Sequence, residues 1–244
     1  MFVLVLLSVG NFIMAQSNSI FRCSKAKNIT VNNAVNYYQY PSMNKYDVQY
    51  LKLDVNIESN NRYISGSALT TSRVITSLDT FITEFKGTMV VDSIFINGVR
   101  KNFTQSSDHI FVPLTSPISA GNNISSLIYY HGTTNALGVY AGTVAATGLN
   151  YTAPLSESYQ AREWFPCKQI LTDKIDSADI WITTSSANKA GSNGKLIGTD
   201  ALPNNKVRYR WKTTYPMNYY MPSIAVGNYM EYKNYAKPAA IAPD

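Results

Sequence analysis

Short runs of alternating apolar and polar residues are the feature that most constrains this chain. The run Tyr46–Ile57 alternates as a half-buried strand does, and Tyr63–Val74 is predicted to pair back after a turn at Ser59–Asn61. A slip in the alternation at Tyr50–Leu51 predicts a β-bulge. Because no window of a dozen residues shows the 3.6-residue period of a helix, the chain is predicted to be all-β. Many short strands favour an antiparallel sandwich or barrel.

A two-residue turn gives the strongest local prediction. Asn97–Gly98 lies between the runs Val90–Ile96 and Val99–Phe103, and both turn residues tolerate a positive φ, so a β-hairpin is predicted here. The other predicted strands are Leu78–Phe85, Ile110–Leu114, Ile124–His131, Ile180–Thr184, Leu196–Thr199, Val207–Trp211 and Ser223–Tyr232. No internal repeat and no linker rich in Pro or Gly divides the chain.

Composition excludes several classes of protein. With 45% hydrophobic and 15% charged residues, the 244-residue chain is too apolar to be disordered over most of its length. Two cysteines exclude a disulfide-built scaffold, and two histidines leave little material for a histidine-based metal site. The motifs HExxH and GxSxG and the Gly-rich phosphate loops are absent. We therefore interpret His109 and His131 as structural and predict no metal ligand in this chain.

The N-terminus indicates a compartment. Its first 15 residues, MFVLVLLSVGNFIMA, are uncharged, and the first charged residue is Arg22. Such a run is too short to span a bilayer and is typical of a signal peptide, with a buried strand or helix as the alternative. We predict a secreted or periplasmic protein without a transmembrane span. Residues 16–44 contain no acid and are predicted to form an extended arm. An oxidising compartment would permit Cys23 and Cys167 to pair, and the sequence leaves this open.

A run of alternating basic and apolar residues near the C-terminus has two interpretations. It comprises Lys206, Val207, Arg208, Tyr209, Arg210, Trp211 and Lys212. Basic residues interleaved with aromatic ones occur in strands that bind nucleic acid. The period of two has a simpler explanation, in which one apolar face is buried and one basic face is solvated. We favour this explanation and predict no nucleic-acid partner.

Charge is distributed unevenly along the middle of the chain. Residues 110–155 contain no Asp, Glu, Lys or Arg, which indicates either a meander of strands and turns or a surface covered by another domain. Charge returns abruptly in residues 155–182, LSESYQAREWFPCKQILTDKIDSADIWI, where Glu157, Arg162 and Glu163 lie close to the pair Trp164–Phe165. This dense mixture of charged and aromatic side chains indicates a functional site or an interface.

The same segment resembles the N-terminal domain of the aminopeptidase N family of zinc exopeptidases. In that family a Gln or Glu is followed by an Ala-Arg pair and then by an aromatic residue, Pro and Cys. The matching residues here are Glu157, Ala161, Arg162, Phe165, Pro166 and Cys167. Further likeness is carried, in chain order, by Tyr46–Val48, Lys174–Ser177, Ile180–Ile182, Ser192–Leu196, Tyr209–Lys212 and Ser223–Gly227. The family usually has an acid two residues after the cysteine, where this chain has Gln169.

The resemblance implies a fold and a role for the loop. It implies a saddle-shaped, mainly antiparallel β-sandwich over residues 45–232, with residues 233–244 leading towards a catalytic domain. It implies that Glu157 reaches into the active site of that domain and binds the free α-amine of the peptide, because a carboxylate gives an ammonium group a charge-assisted hydrogen bond. Arg162 is expected to pair with a local carboxylate. Support from beneath the loop is expected from Trp164, Phe165, Pro166 and Cys167.

The resemblance also implies a zinc cofactor in the full-length family. The family's zinc ligands lie in the catalytic domain, and this chain has none of them. We interpret the chain as the substrate-amine-binding domain of a secreted zinc aminopeptidase that removes N-terminal residues from peptides, and we expect it to be inactive by itself. Its expected partners are the N-terminus of a peptide and the catalytic domain that the chain lacks. The alternative is a free-standing secreted β-sandwich that serves binding or adhesion without enzymatic activity.

Overall fold

The structure is a computed structural model that describes residues 39–230. The expected signal peptide, the arm up to residue 38, Cys23 and the segment 233–244 lie outside the described residues. Short 3-10 helices occur at Pro41–Lys45 and Ala161–Glu163. The strands are β1 (Tyr46–Ile57), β2 (Tyr63–Val74), β3 (Leu78–Glu84), β4 (Val90–Ile96), β5 (Val99–Lys101), β6 (Thr104–Ser106), β7 (His109–Ile118), β8 (Asn123–Thr133), β9 (Val139–Val144), β10 (Leu149–Pro154), β11 (Lys174–Ile175), β12 (Ser177–Ser185), β13 (Lys189–Ser192), β14 (Lys195–Leu202), β15 (Lys206–Thr213), β16 (Met217–Asn218) and β17 (Ile224–Gly227).

The strands of the described residues form four sheets. The largest has eight strands in the order β14-β15-β12-β1-β2-β8-β4-β5, and the second has four in the order β13-β17-β10-β9. A three-stranded sheet, β3-β7-β6, and a two-stranded sheet, β11-β16, complete the fold. This architecture confirms the all-β fold class that the alternating pattern predicted.

One strand pair departs from the antiparallel pattern. Strands β1 and β12 run parallel, in a register that aligns Tyr50 with Ser177 and Asn56 with Thr183. A parallel pair needs a long crossover connection, which the chain from β2 to β11 supplies here. The other strand pairs of the described residues are antiparallel, so the expectation of a mainly antiparallel fold is confirmed. The sequence pattern within a strand does not indicate whether its neighbour in the sheet runs parallel or antiparallel to it.

The predicted bulge sets the burial of β1. The register between β1 and β2 shifts between Val48 and Tyr50, next to the slip in the sequence alternation. The extra residue turns the strand so that Val48 and Leu51, three positions apart, are both buried. Leu53, Val55 and Ile57 then continue on the buried face, and all three are at most 2% exposed. The bulge therefore lets one long strand serve the core along its whole length.

The structure confirms the predicted hairpin and adds another. At the β4–β5 turn, Asn97 has φ 49° and Gly98 has φ 78°, as a two-residue turn with both residues left-handed requires. The uncharged stretch forms a second hairpin, β9–β10, in which Val139 pairs with Pro154 and Leu149 with Val144. The stretch is thus strand and turn, as its meander interpretation predicted.

Acidic side chains neutralise the basic face of β15. Arg208 lies 3.4 Å from Asp54 between Nη2 and Oδ1, and Arg210 donates from Nη2 to Asp200 Oδ1 at 3.1 Å. Both guanidinium groups also flank the Trp181 ring, at 5.5 and 5.9 Å from its centroid. Neighbouring strands therefore supply the partners of this positive charge.

The backbone of β2 approaches β1 too closely at Gly66 for any side chain. A Cβ atom at Gly66 would lie 2.1 Å from the Asp54 carbonyl oxygen, and its φ of +153° is strained for other residues. We expect Gly66→Ala to lower the free energy of unfolding by about 3 kcal/mol in urea denaturation. Gly191→Ala is the control, because no atom lies within 4 Å of its added Cβ and its φ is ordinary. Equal losses in the two variants would contradict this prediction.

Candidate functional site

The candidate site is the loop of residues 155–168, called the motif loop, which follows β10. Its first residue donates its N–H to the Gly138 carbonyl at 2.9 Å, which ties Leu155 to the turn before β9. Ser156 is buried and fixed twice. Its hydroxyl accepts a hydrogen bond from Trp164 Nε1 at 2.9 Å, and its carbonyl accepts one from the Gln160 N–H at 2.9 Å. The loop therefore folds back on itself directly after its first residue.

A buried aromatic pair forms the floor of the motif loop. Trp164 and Phe165 are fully buried, and their rings meet edge to face with centroids 4.5 Å apart. Pro166 is buried as well. The short helix Ala161–Glu163 leads into this pair, since the Ala161 carbonyl accepts the N–H groups of Trp164 and Phe165. Burying two large aromatic side chains gives the loop a rigid base.

A backbone bridge closes the motif loop onto β3. Cys167 donates its N–H to the Glu84 carbonyl at 3.0 Å, and the Glu84 N–H donates to the Cys167 carbonyl at 2.9 Å. The Thr83 hydroxyl donates to the same Cys167 carbonyl at 2.9 Å. Cys167 has a free thiol, and burial raises its pKa well above the usual value. A thiol that resists ionisation is a poor nucleophile, so Cys167 is a packing residue here.

A buried ion pair continues this anchoring beyond the bridge. Lys168 pairs with Asp173 and also donates to the Tyr46 carbonyl. Asp173 in turn accepts the Val48 N–H at 3.1 Å. These contacts attach the end of the motif loop to β1 in the largest sheet.

Glu157 lies at the exposed part of the motif loop between two fixed neighbours. Ser156 is held as described, and the Ser158 carbonyl accepts a hydrogen bond from the Tyr219 hydroxyl at 2.6 Å. Tyr159 stacks on Tyr219 with ring centroids 6.3 Å apart. The Glu157 residue itself is exposed. The backbone is thus held on both sides of an exposed residue, and a preorganised site needs such support.

Arg162 pairs with a carboxylate that is distant in sequence. Its Nη2 lies 3.7 Å from Asp108 Oδ2, in the turn before β7. Asp108 also accepts from Lys86 Nζ at 3.0 Å and from the Gly87 N–H at 2.8 Å. Burial alone would raise the pKa of Asp108, but these donors and Arg162 outweigh it and hold the pKa below its usual value.

Glu163 is a second buried carboxylate, which the sequence did not single out for a role. Asn135 Nδ2 donates to its Oε2, and Lys86 Nζ lies 3.8 Å from its Oε1. Burial raises the pKa of Glu163, although Lys86 and Arg162 oppose this shift. The sequence signal was only the return of charge after residue 155. The partners come from other turns, which no pattern within the motif predicts.

Gln169 takes a structural place where the resembling family usually has an acid. Its Oε1 accepts the Arg162 N–H at 3.3 Å, and its carbonyl accepts from Gln39 Nε2 at 3.4 Å. An amide oxygen can accept a backbone N–H as a carboxylate does. The substitution therefore keeps this acceptor in the described structure without adding a negative charge.

No group of three or more His, Cys, Asp or Glu side chains in residues 39–230 has the arrangement to hold a metal ion. His109 is buried and donates from Nδ1 to the Ser107 carbonyl at 2.7 Å, while His131 Nδ1 lies 3.0 Å from Asp92 Oδ1. These residues do not fit a zinc site, so we assign no zinc-dependent step to them.

In residues 39–230, no helix has the length and apolar character that crossing a membrane requires.

Comparison with known proteins gives one family and one fold. The sequence profile described as the Peptidase M1 N-terminal domain matches residues 36–221. No protein with a curated description matches the chain. Among solved structures, an M1 zinc metallopeptidase from Deinococcus radiodurans is similar, with 22% identity, a TM-score of 0.66, and coverage of 75% of this chain and 42% of that one.

Two further solved structures show the same likeness. A mutant of the Deinococcus radiodurans enzyme, bound to a Tyr-Ser-Ala substrate, has 22% identity, a TM-score of 0.65, and coverage of 75% of this chain and 42% of that one. A mutant two-domain M1 zinc metallopeptidase bound to L-tryptophan has 22% identity, a TM-score of 0.66, and coverage of 75% and 43%. At this identity the likeness shows the shared fold. The chain spans less than half the length of the structures that it matches.

The lowered pKa of Asp108 predicts a pH-dependent contribution to stability. Because the folded-state pKa lies below the usual value, the contribution is present at neutral pH and is lost as pH falls through that lowered pKa. We expect Asp108→Asn to lower the free energy of unfolding by about 2 kcal/mol at pH 7, and the difference to shrink as pH falls through the lowered pKa of Asp108. Urea denaturation at a series of pH values measures this.

Asp79→Asn is the matched control for this experiment. Asp79 is 63% exposed and lies 3.7 Å from Lys45, so its removal is expected to change stability by less than about 0.5 kcal/mol. A cost for Asp108→Asn that persisted unchanged in acid would show that lost packing, rather than lost charge, caused it.

Proposed function

Because the chain belongs to the Peptidase M1 N-terminal domain family, we propose that it supplies the substrate-amine anchor of a zinc aminopeptidase. In this proposal Glu157 binds the free α-ammonium group of a peptide, and the rest of the motif loop holds Glu157 in place. The chain also forms one wall of the cleft between itself and a catalytic domain. It belongs to a secreted or periplasmic enzyme, as its apolar first 15 residues suggest.

The geometry around Glu157 is the observation that carries this proposal. An exopeptidase must recognise a charged terminus, and an ammonium group binds a carboxylate through charge-assisted hydrogen bonds. Such recognition is useful only if the carboxylate is held in position before the substrate binds. Hydrogen bonds from Trp164 to Ser156 and from Tyr219 to Ser158 hold the backbone on both sides of the exposed Glu157, which supports this requirement.

The chemistry of hydrolysis is proposed to lie outside this chain. A zinc ion, when bound in a catalytic domain, would supply the activated water that attacks the peptide bond. The described residues contribute an acceptor for the substrate ammonium and a rigid loop, and they contribute no ligand to the metal. The isolated chain is therefore expected to bind the N-terminus of a peptide without hydrolysing the peptide.

The outer edge of β9 supports the presence of a neighbouring domain. Within residues 39–230 no strand pairs with this edge, and β9 carries no charged residue. Leu137, Tyr140 and Val144 are exposed beside it. The other edge strands of the two largest sheets carry charge, at Lys195 and Asp200 in β14, Arg100 and Lys101 in β5, and Lys189 in β13. A free-standing module would need protection at such an edge, so this edge favours the multidomain interpretation.

Replacing Glu157 tests the anchor. Residues 39–230 are placed in a chimera, in place of the aligned part of the Deinococcus radiodurans enzyme. We expect Glu157→Gln to lower kcat/KM for a tripeptide with a free amine by about 100-fold, because the ammonium loses its charged acceptor. Steady-state kinetics of the two chimeras measure this ratio.

Two controls bracket that experiment. Asp79→Asn removes one exposed negative charge elsewhere and is expected to leave kcat/KM within about 2-fold. The 244-residue chain alone, supplied with zinc, is expected to show no turnover. An unchanged kcat/KM in Glu157→Gln would refute the anchor, and zinc-dependent turnover by the isolated chain would refute the division of chemistry.

The open edge of β9 predicts self-association of the isolated chain. Unpaired backbone groups on an uncharged edge pair readily with another copy. We expect Tyr140→Lys to lower the average mass in sedimentation equilibrium towards that of the monomer. Thr199→Lys, which adds the same charge to the already charged edge β14, is expected to leave the mass unchanged. A monomeric wild-type chain, or equal effects of the two substitutions, would contradict this prediction.

A further inference from the structure

The turn that precedes β9 contacts the motif loop through the Asn135 side chain. Asn135 Nδ2 donates to Glu163 Oε2, while Asn135 Oδ1 accepts the N–H groups of Leu137 at 2.8 Å and Gly138 at 3.0 Å. Asn135 therefore organises its own turn with one atom and attaches that turn to Glu163 with the other.

Close backbone packing accompanies this hydrogen bond. A Cβ atom at Gly138 would lie 2.4 Å from Glu163 Cβ, so the turn lies directly against the Glu163 side chain. The Gly138 carbonyl accepts the N–H of Leu155, which is two residues before Glu157. A continuous chain of contacts thus links Glu163 through Asn135 and Gly138 to Leu155, where the motif loop begins.

The charge on Glu163 is held in a costly environment. Its side chain is 8% exposed, and the charged groups around it are Lys86 at 3.8 Å, Arg162 and Asp108. Burying a carboxylate costs several kcal/mol unless partners offset it, and an apolar residue would fill the same space without that cost. An apolar residue at position 163 could not accept the hydrogen bond from Asn135.

We propose that Glu163 is a positioning residue, which fixes the loop that carries Glu157 by holding the Asn135–Gly138 turn against it. The consequence for catalysis rests on the proposed role of Glu157 as the amine anchor. The structural part of the inference does not depend on that role, because it concerns only how firmly the Asn135–Gly138 turn and Leu155 are held. Glu163 touches no substrate in this scheme and acts only through Asn135 and Gly138.

Exchanging the two partners tests the proposal on the full 244-residue chain. Amide hydrogen exchange is measured as protection factors for Leu137, Gly138 and Leu155. We expect Glu163→Ala and Asn135→Asp each to lower protection by about 10-fold or more, since each removes the hydrogen bond. The double variant N135D/E163Q is expected to restore protection to within about 3-fold of the wild type, because the Gln amide then donates to the Asp carboxylate, which still accepts the two turn N–H groups.

A pH series separates this role from general packing. In Asn135→Asp two carboxylates face each other, and one takes up a proton as pH falls, so the loss of protection should shrink towards pH 5. A deficit in Asn135→Asp that is independent of pH would overturn the proposal, as would failure of the exchanged pair to restore protection. If both single variants unfold, refolding of the exchanged pair supports the proposal and its failure to refold overturns it.

The design also separates this inference from the proposed function. Glu157→Ala should leave all three protection factors unchanged, because the hydrogen bonds described for the turn are made by Asn135, Gly138, Leu155 and Glu163. If Leu155 keeps its protection in Asn135→Asp while Leu137 and Gly138 lose theirs, Glu163 holds the turn alone and the inference fails. If protection behaves as expected but Glu157→Gln keeps full activity in the chimera, only the amine anchor fails.

Discussion

The paired backbone hydrogen bonds between Glu84 and Cys167 are the contact on which the candidate site depends. They join the end of the motif loop to β3 as a single bridge, with the Thr83 hydroxyl as an additional donor. Because the loop is closed there, Trp164 and Phe165 are held beneath it and the residues around Glu157 have a fixed base. A site assembled from one loop needs such closure, since an open loop would lose its geometry to conformational entropy.

Local sequence patterns predicted the strands and singled out the motif loop. They could not predict which residues distant in sequence contact one another. The alternation in β1 and the Asn97–Gly98 turn are signals contained within a few residues, and the structure confirms both. The parallel pairing of β1 with β12 depends on a crossover, which no strand encodes by itself. Likewise the motif predicted a partner for Arg162 but not Asp108, because a carboxylate in a separate turn is brought near only by folding.

The electrostatics of the site divide into a buried part and an exposed part. Asp108 and Glu163 share Lys86 and Arg162, so two acids and two bases offset one another in a partly buried cluster. At the surface, Glu157 is exposed. The residue proposed for recognition is thus more accessible to a peptide than Glu163, whose side chain is buried.

The open edge of β9 has a consequence for the order of events during synthesis. In a longer protein of the kind that this chain matches, the N-terminal domain leaves the ribosome first and folds before the remainder is made. The uncharged edge would then wait unpaired while translation proceeds at roughly 5 to 20 residues per second. Slow translation or loss of the downstream segment would prolong that exposure. The β9 edge is therefore a site where binding of a chaperone would prevent incorrect strand pairing.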